Sequence, residues 1–198
     1  VTDGKIAKSD ETGQRMRISG RVTNLDCTEI LAGTIIDVWH ANDAGEYDNN
    51  GYNLRGKVIA NANGFYMFET ILPGKYLNGS QYRPSHIHFK ITPPAYPTLT
   101  TQLYFEGDTS IPDDAAASIT SGKYDASRRI IELSESVDGV MEGMWDIVID
   151  GEGTQTGIND LHINKGIIYS ASPNPFTNEV KIKYGVFSNS NVGLFVYD

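Results

Sequence analysis

His86-Ile87-His88-Phe89-Lys90-Ile91-Thr92 alternates polar and apolar residues without a break. Successive side chains of a strand point to opposite faces, so Ile87, Phe89 and Ile91 make one core-facing row. His86, His88 and Lys90 then share the other face, with the two imidazoles side by side. Outward from this segment the chain keeps the same character. Met16-Arg17-Ile18-Ser19-Gly20-Arg21-Val22 alternates, and Thr34-Ile35-Ile36-Asp37-Val38-Trp39 is a β-branched run ending on an aromatic. Lys57-Val58-Ile59-Ala60, a turn over residues 61–64 and Phe65-Tyr66-Met67-Phe68 predict a hairpin. Further strands are predicted over 100–105 and 144–150. The pattern is that of an all-β sandwich or barrel. One short helix is expected over 113–119, where Pro112 and two aspartates stand at its start.

The 198 residues suffice for one domain with a core and a small appendage. A formal charge of −9 argues against a nucleic-acid partner, which demands a basic face for phosphates. No stretch approaches the roughly 20 apolar residues of a membrane-spanning helix. The first residues show no charged-then-apolar leader. Cys27 is the single cysteine, which excludes an internal disulfide and a thiolate cluster; it is read as a partly buried loop residue.

A His-x-His pair on a strand is weak evidence for a metal by itself, so the surroundings must decide. Tyr76 follows the turn at Pro73-Gly74-Lys75, and Tyr47 sits in the loop Gly45-Glu46-Tyr47-Asp48. Each tyrosine alone is read more simply as a packing residue with a bonded hydroxyl.

An ordered series of blocks changes this reading. Trp39-His40-Ala41-Asn42, Gly45-Glu46-Tyr47, Arg55-Gly56, Asn63-Gly64-Phe65-Tyr66-Met67-Phe68 and Pro73-Gly74-Lys75-Tyr76 come first. Arg83-Pro84-Ser85-His86-Ile87-His88-Phe89 and Thr101-Gln102-Leu103-Tyr104-Phe105-Glu106-Gly107-Asp108 complete it. The series resembles the intradiol ring-cleavage dioxygenases, and within them the protocatechuate 3,4-dioxygenase branch, over about residues 15 to 150. The resemblance implies an intradiol-dioxygenase-like β-sandwich with few short helices. It places the four ligands of an Fe(III) cofactor on Tyr47, Tyr76, His86 and His88, with Arg83 and Gln102 as further active-site residues. It also implies the reaction. A small aromatic diol (catechol, protocatechuate or hydroxyquinol) chelates the metal and displaces Tyr76, which takes a proton. Arg83 stabilises charge developing on the ring, and Gln102 contacts ring or O2 or braces Arg83. Both atoms of O2 enter the product, a cis,cis-muconate-type diacid.

This donor set suits a ferric ion, because two hard phenolates offset much of its charge. His40, beside Trp39, is a candidate supporter of a ligand, and His162 is read as solvated. The chain departs from the protocatechuate enzymes in shorter connectors between Tyr47 and Tyr76 and between Tyr76 and His86. It also has Leu77-Asn78 where they carry a tryptophan. These loops border the ring pocket, so the substrate stays open.

Residues 1–155 are expected to be the catalytic domain and 156–167 a linker. Residues 168–198 are expected to be a partial β-rich C-terminal segment. There, Ser172-Pro173-Asn174-Pro175-Phe176 resembles the start of a type IX secretion sorting domain. That resemblance implies a secreted or cell-surface enzyme with the secretion machinery as a partner; without it the expected location is cytoplasmic. Assembly into a homo-oligomer is left open. The alternatives are an exported β-sandwich binding module that keeps the metal site without turnover, and the same fold around Zn²⁺ or Cu²⁺.

Overall fold

The computed structural model describes residues 3–117, 129–149, 166–172 and 181–186. The strands, in chain order, are β1 (Arg15–Asn24), β2 (Ile35–Trp39), β3 (Arg55–Ile59) and β4 (Phe65–Ile71). Next come β5 (Tyr76–Asn78), β6 (Gln81–Arg83), β7 (His86–Thr92), β8 (Leu99–Phe105) and β9 (Ile130–Ile131). The last are β10 (Leu133–Glu135), β11 (Met141–Met144), β12 (Ile147–Ile149), β13 (Gly166–Ser172) and β14 (Lys181–Val186).

Two five-stranded sheets form a sandwich, as the alternating pattern and the resemblance lead one to expect. In the first sheet β1 pairs antiparallel with β4 on one side and parallel with β11 and β12 on the other, and β10 extends it beyond β11. The second runs β3-β2-β7-β8-β9. Ile18, Val22, Tyr66 and Phe68 of the first sheet share one core with Ile36, Val38, Ile87, Phe89, Ile91 and Leu103 of the second. Phe89 sits between the layers, its ring 5.9 Å from that of Phe68 and 4.8 Å from that of Trp145. Burying a side chain of this size is worth about 1.5–3 kcal/mol.

The sequence-based hairpin over 57–68 does not form. The turn is present, with Gly64 N–H donating to the Asn61 carbonyl, but β3 pairs with β2 and β4 pairs with β1. Val58 on one strand and Tyr66 and Phe68 on the other each need the shared core, so the chain crosses between layers there. The helix expected over 113–119 is replaced by a 3-10 turn at Ile111–Asp113, while residues 118 and 119 lie outside the described residues. The Asp114 carboxylate takes the amides of Ala116 and Ala117, offering the backbone an alternative to helix. Cys27 is exposed at a positive φ of 59°, contrary to the partly buried reading, because it closes a tight turn on Asn24.

β13 begins at Gly166, inside the expected linker, and pairs antiparallel with β14. His162 and residues 187–198 of the expected C-terminal segment lie outside the described residues. No helix among the described residues is long and apolar enough to cross a membrane.

Candidate metal centre

Alternation in β7 puts Ile87, Phe89 and Ile91 in the core and leaves His86 and His88 on the outer face of the second sheet. The register of that sheet then sets their neighbours. Arg55, Trp39, His88 and Gln102 form one row across β3, β2, β7 and β8, and His86 lies opposite Tyr104. The Trp39 ring stacks on the His88 imidazole at 4.8 Å and 4° between planes. Arg55 lies over the far end of this row, its guanidinium carbon 5.3 Å from the Trp39 ring centre.

The tyrosines arrive on two turns that are packed backbone against backbone. The Asn42 side-chain oxygen accepts the amides of Ala44 at 3.0 Å and Glu46 at 2.8 Å, shaping the loop that carries Tyr47. The Asn42 carbonyl accepts from Gly45 at 3.1 Å and also from Gly74 at 2.8 Å, in the turn that carries Tyr76. A Cβ on Gly74 would lie 2.2 Å from the Asp43 carbonyl oxygen, and one on Gly45 would lie 2.4 Å from that of Lys75. Only glycine allows this approach. Ser85 fastens the same turn to β7, its hydroxyl donating to the Pro73 carbonyl at 2.6 Å.

The Tyr47 hydroxyl oxygen lies 3.3 Å from His86 Nε2 and 3.2 Å from His88 Nε2. The Tyr76 ring is edge-on to Tyr47 at 5.6 Å and tilted against His86 at 5.7 Å. Donor atoms about 2 Å from one ion stand roughly 3 Å from each other, so this spacing fits a single metal. His86 Nδ1–H donates to the Pro84 carbonyl at 2.7 Å, which fixes the tautomer and leaves Nε2 free as a lone-pair donor. Burial pulls the His86 imidazole below its ordinary pKa, and burial together with His86 and Arg83 pulls His88 down to about 3. Both rings are therefore neutral and able to ligate. Burial, then the adjacent Tyr76, pushes the Tyr47 phenol upward, so its ionised form needs a cation beside it.

Arg83 faces Tyr76 across the β5–β6 ladder, with Nη1 3.4 Å from the Tyr76 hydroxyl. Its Nη2 donates to Gln102 Oε1 at 2.8 Å, and Tyr104 donates to the same oxygen at 2.5 Å. Gln102 Nε2 is 3.4 Å from His88 Nδ1. All six residues singled out in the sequence thus meet at one place. His40 does not join them. It is buried, donates from Nδ1 to the Ala41 carbonyl at 2.7 Å and accepts at Nε2 from Thr70 at 2.6 Å. Its work is to join the end of β2 to β4 through Thr70, and no hydrogen bond links it to any of the four candidate ligands.

Three neighbours escaped sequence reasoning. Tyr104 lies inside a quoted block, and a strand period counted from Gln102 would have put it on the site face. Trp39 needed the β2–β7 register. Asp114, which clasps Arg83 at 2.7 and 3.2 Å, carried no signal beyond its place in an expected helix start.

Two phenols and two imidazoles closing on one point, on the outer face of a β-sandwich, make a donor set of the kind used by tyrosine-ligated non-haem metal proteins. The family model described as "Dioxygenase" matches residues 2–151, and the chain belongs to that family, that of the intradiol dioxygenases. It is 36% identical over 135 residues to a chlorocatechol 1,2-dioxygenase of Rhodococcus opacus, covering 58% of this chain and 52% of that one. It is 31% identical over 170 residues to a protocatechuate 3,4-dioxygenase beta chain of Burkholderia cepacia, covering 76% and 71%. Among solved structures, the dioxygenase domain of a dioxygenase–carbohydrate-binding fusion from Streptomyces sp. SirexAA-E superposes with a TM-score of 0.64 at 30% identity. That match covers 75% of this chain and 88% of the other. The chain spans about half the length of the chlorocatechol enzyme it matches.

Proposed function

We propose that this chain is a non-haem Fe(III) intradiol dioxygenase, inserting both atoms of O2 into a catechol-type ring to give a cis,cis-muconate-type diacid. The observation that carries the reading is the convergence of the Tyr47 oxygen with Nε2 of both His86 and His88, beside Tyr76. Tyr47, Tyr76, His86 and His88 would hold the iron, which when bound supplies Lewis acidity to a catecholate and favours reaction of the ring with O2. Two phenols suit Fe(III) better than Zn²⁺ or Cu²⁺, whose protein sites draw on imidazole and thiolate.

The roles of the chain's own groups follow from their places. Tyr47 and the two histidines are held from behind by the Asn42 turn, the Pro84 carbonyl and the Trp39 stack, and serve as the fixed side. Tyr76 sits on the small β5–β6 ladder, which pairs with neither large sheet, and is the ligand able to yield. Its phenolate oxygen would receive a catechol proton, and Arg83 Nη1, 3.4 Å away, would steady that oxygen and the charge on the ring. Catechol, chlorocatechol, protocatechuate and hydroxyquinol are the substrates to compare.

The test is reconstitution with iron, followed by absorption spectroscopy and oxygen uptake with that panel. Tyrosinate-to-iron charge transfer should colour the protein red, and at least one diol should drive oxygen consumption. An iron-loaded protein without the colour would sink the ligand set. A coloured protein that consumes no oxygen with any diol would favour a binding module that has kept the site. We also propose export, resting on Ser172-Pro173-Asn174-Pro175-Phe176 as the start of a sorting segment over residues 168–198. Cell fractionation with and without that segment tests it, and an unchanged distribution would refute it.

A further inference from the structure

Asp114 contacts none of the four candidate ligands, yet the whole residue is only 8% exposed and its carboxylate is tied to the site. Oδ2 accepts Arg83 Nε at 2.7 Å and Oδ1 accepts Nη2 at 3.2 Å. Oδ1 also accepts the amides of Ala116 and Ala117, each at 2.9 Å, which anchors the carboxylate to its own turn. The side chains of the pair are 15% and 6% exposed, so this is a buried, two-pronged ion pair. Burial opposes the charge on both partners, but their mutual bonds outweigh it, holding the Asp114 carboxyl low and the Arg83 guanidinium high.

A guanidinium has five N–H donors in a rigid fork. Asp114 takes Nε and one proton of Nη2, and Gln102 takes the other at 2.8 Å. Nη1 is left facing the Tyr76 hydroxyl at 3.4 Å, on the side where the Tyr104 hydroxyl also comes within reach of the guanidinium. Lys75, the next cation beside Tyr76, is likewise paired, donating to Asp108 at 2.9 Å. Arg55 lies beyond Trp39 in the cross-strand row, on the far side from His88.

We propose that Asp114 is a positioning and specificity-determining residue: it takes one edge of the Arg83 fork, turns Nη1 toward the ring pocket and cancels the charge that would attract an anionic ring substituent. The proposal rests on the catechol reading above. Arg83 then acts as a directional donor to the reacting oxygens and not as a carboxylate anchor. Asp114→Asn keeps an oxygen for the amides of Ala116 and Ala117 but leaves Arg83 uncompensated.

The experiment is anaerobic titration of the iron-loaded full chain with catechol and with 3,4-dihydroxybenzoate, read from the absorption spectrum as two dissociation constants. The native chain should bind catechol more tightly. Asp114→Asn should shift the ratio of the two constants about tenfold toward dihydroxybenzoate, and Asp114→Glu should restore most of it. A merely structural role would weaken both ligands alike. An unchanged ratio in Asp114→Asn, or a native preference for dihydroxybenzoate, would overturn the proposal. A double-mutant cycle with Arg83→Gln, read by urea unfolding of the metal-free chain, tests the pairing without any catechol: marked non-additivity supports it, and additivity overturns it. A native chain that binds neither diol would overturn the catechol reading, while the cycle still decides whether Asp114 holds Arg83.

Discussion

Replacing Gly74 by alanine should cost the chain its metal before it costs the chain its fold. The added Cβ would stand 2.2 Å from the Asp43 carbonyl oxygen and 2.5 Å from the Gly45 amide nitrogen, both backbone atoms that no rotamer change can move. Restoring an ordinary contact of roughly 3.4 Å requires the turns bearing Tyr47 and Tyr76 to part by about 1 Å. Overpacking of this kind costs about 1–3 kcal/mol, which a domain with two five-stranded sheets on one core can survive. Metal sites tolerate errors of only about 0.2 Å in ligand distance, so the same movement should abolish tight binding. Gly79→Ala is the control. Gly79 has a φ of +67° at the tip of the β5–β6 hairpin and nothing within 4 Å of the added carbon, so alanine there strains the backbone without a clash. Iron titration followed by absorbance, beside urea unfolding, reads both effects. Wild-type iron affinity in Gly74→Ala would refute the idea that close packing of the two turns sets the tyrosine spacing.

Acid should destabilise the metal-free chain partly through His40, whose burial lowers its pKa from 6.5 to about 4. The unfolded chain takes up that proton first, so the contribution is complete above pH 6.5 and fades as pH falls toward 4, by about 3 kcal/mol in all. His40→Gln should flatten the fall in unfolding free energy over that window, and an unchanged slope would refute it. Trp39→Leu removes the ring stacked on His88 and should weaken metal binding about tenfold in competition with a chelator; unchanged affinity would rule out a supporting role. Gly20→Ala would drive a Cβ to 1.9 Å from the Trp145 carbonyl oxygen, between β1 and the segment entering β12. It should destabilise the fold by about 1–3 kcal/mol in urea while the second sheet keeps its register, visible as a lower midpoint. A stability equal to the native chain's would refute a rigid contact between Gly20 and Trp145.

What could be read in advance was whatever depends on a period of two. In His86–Thr92 the alternation alone assigned three residues to the core and two imidazoles to the other face, and the structure keeps that division. Long strands such as β1 and β8 were legible for the same reason. Strands of two to four residues, β5, β6 and β9 to β12, are too short to show a period; β9, β11 and β12 are placed by parallel pairing with distant strands, whereas β5 and β6 pair only with each other. The turn at residues 61–64 was legible as a turn but not as a crossing between layers, because local chemistry fixes the bend and the core decides which sheet each strand joins.

The candidate site divides along the same line. Tyr47 and Tyr76 come from irregular turns, so no periodicity could bring them to His86 and His88; only the ordered motif blocks pointed there. The reason they meet is the Asn42 carbonyl, which accepts from Gly45 and Gly74 together and so binds two turns distant in sequence. A β-sandwich offers such a site cheaply in sequence terms. One strand, β7, serves the core with its odd-numbered residues and presents two of its even-numbered ones, His86 and His88, as candidate ligands on the opposite face, so a single alternation supplies both core and candidate site. The two cations nearest Tyr76 are closed locally, Arg83 by Asp114 and Lys75 by Asp108, while Arg55 over Trp39 and Arg129 over Tyr104 flank the same face, inside a chain of net charge −9. Local closure makes the selectivity of the pocket depend on two carboxylates behind the site more than on the field of the whole molecule, which salt screens over about 10 Å. Ionic strength should therefore change the catechol dissociation constant less than twofold between 20 and 200 mM salt, whereas Asp114→Asn should make binding of dihydroxybenzoate salt-sensitive. Strong salt dependence of both ligands in the native chain would show that the long-range field, not the buried pairs, governs the pocket.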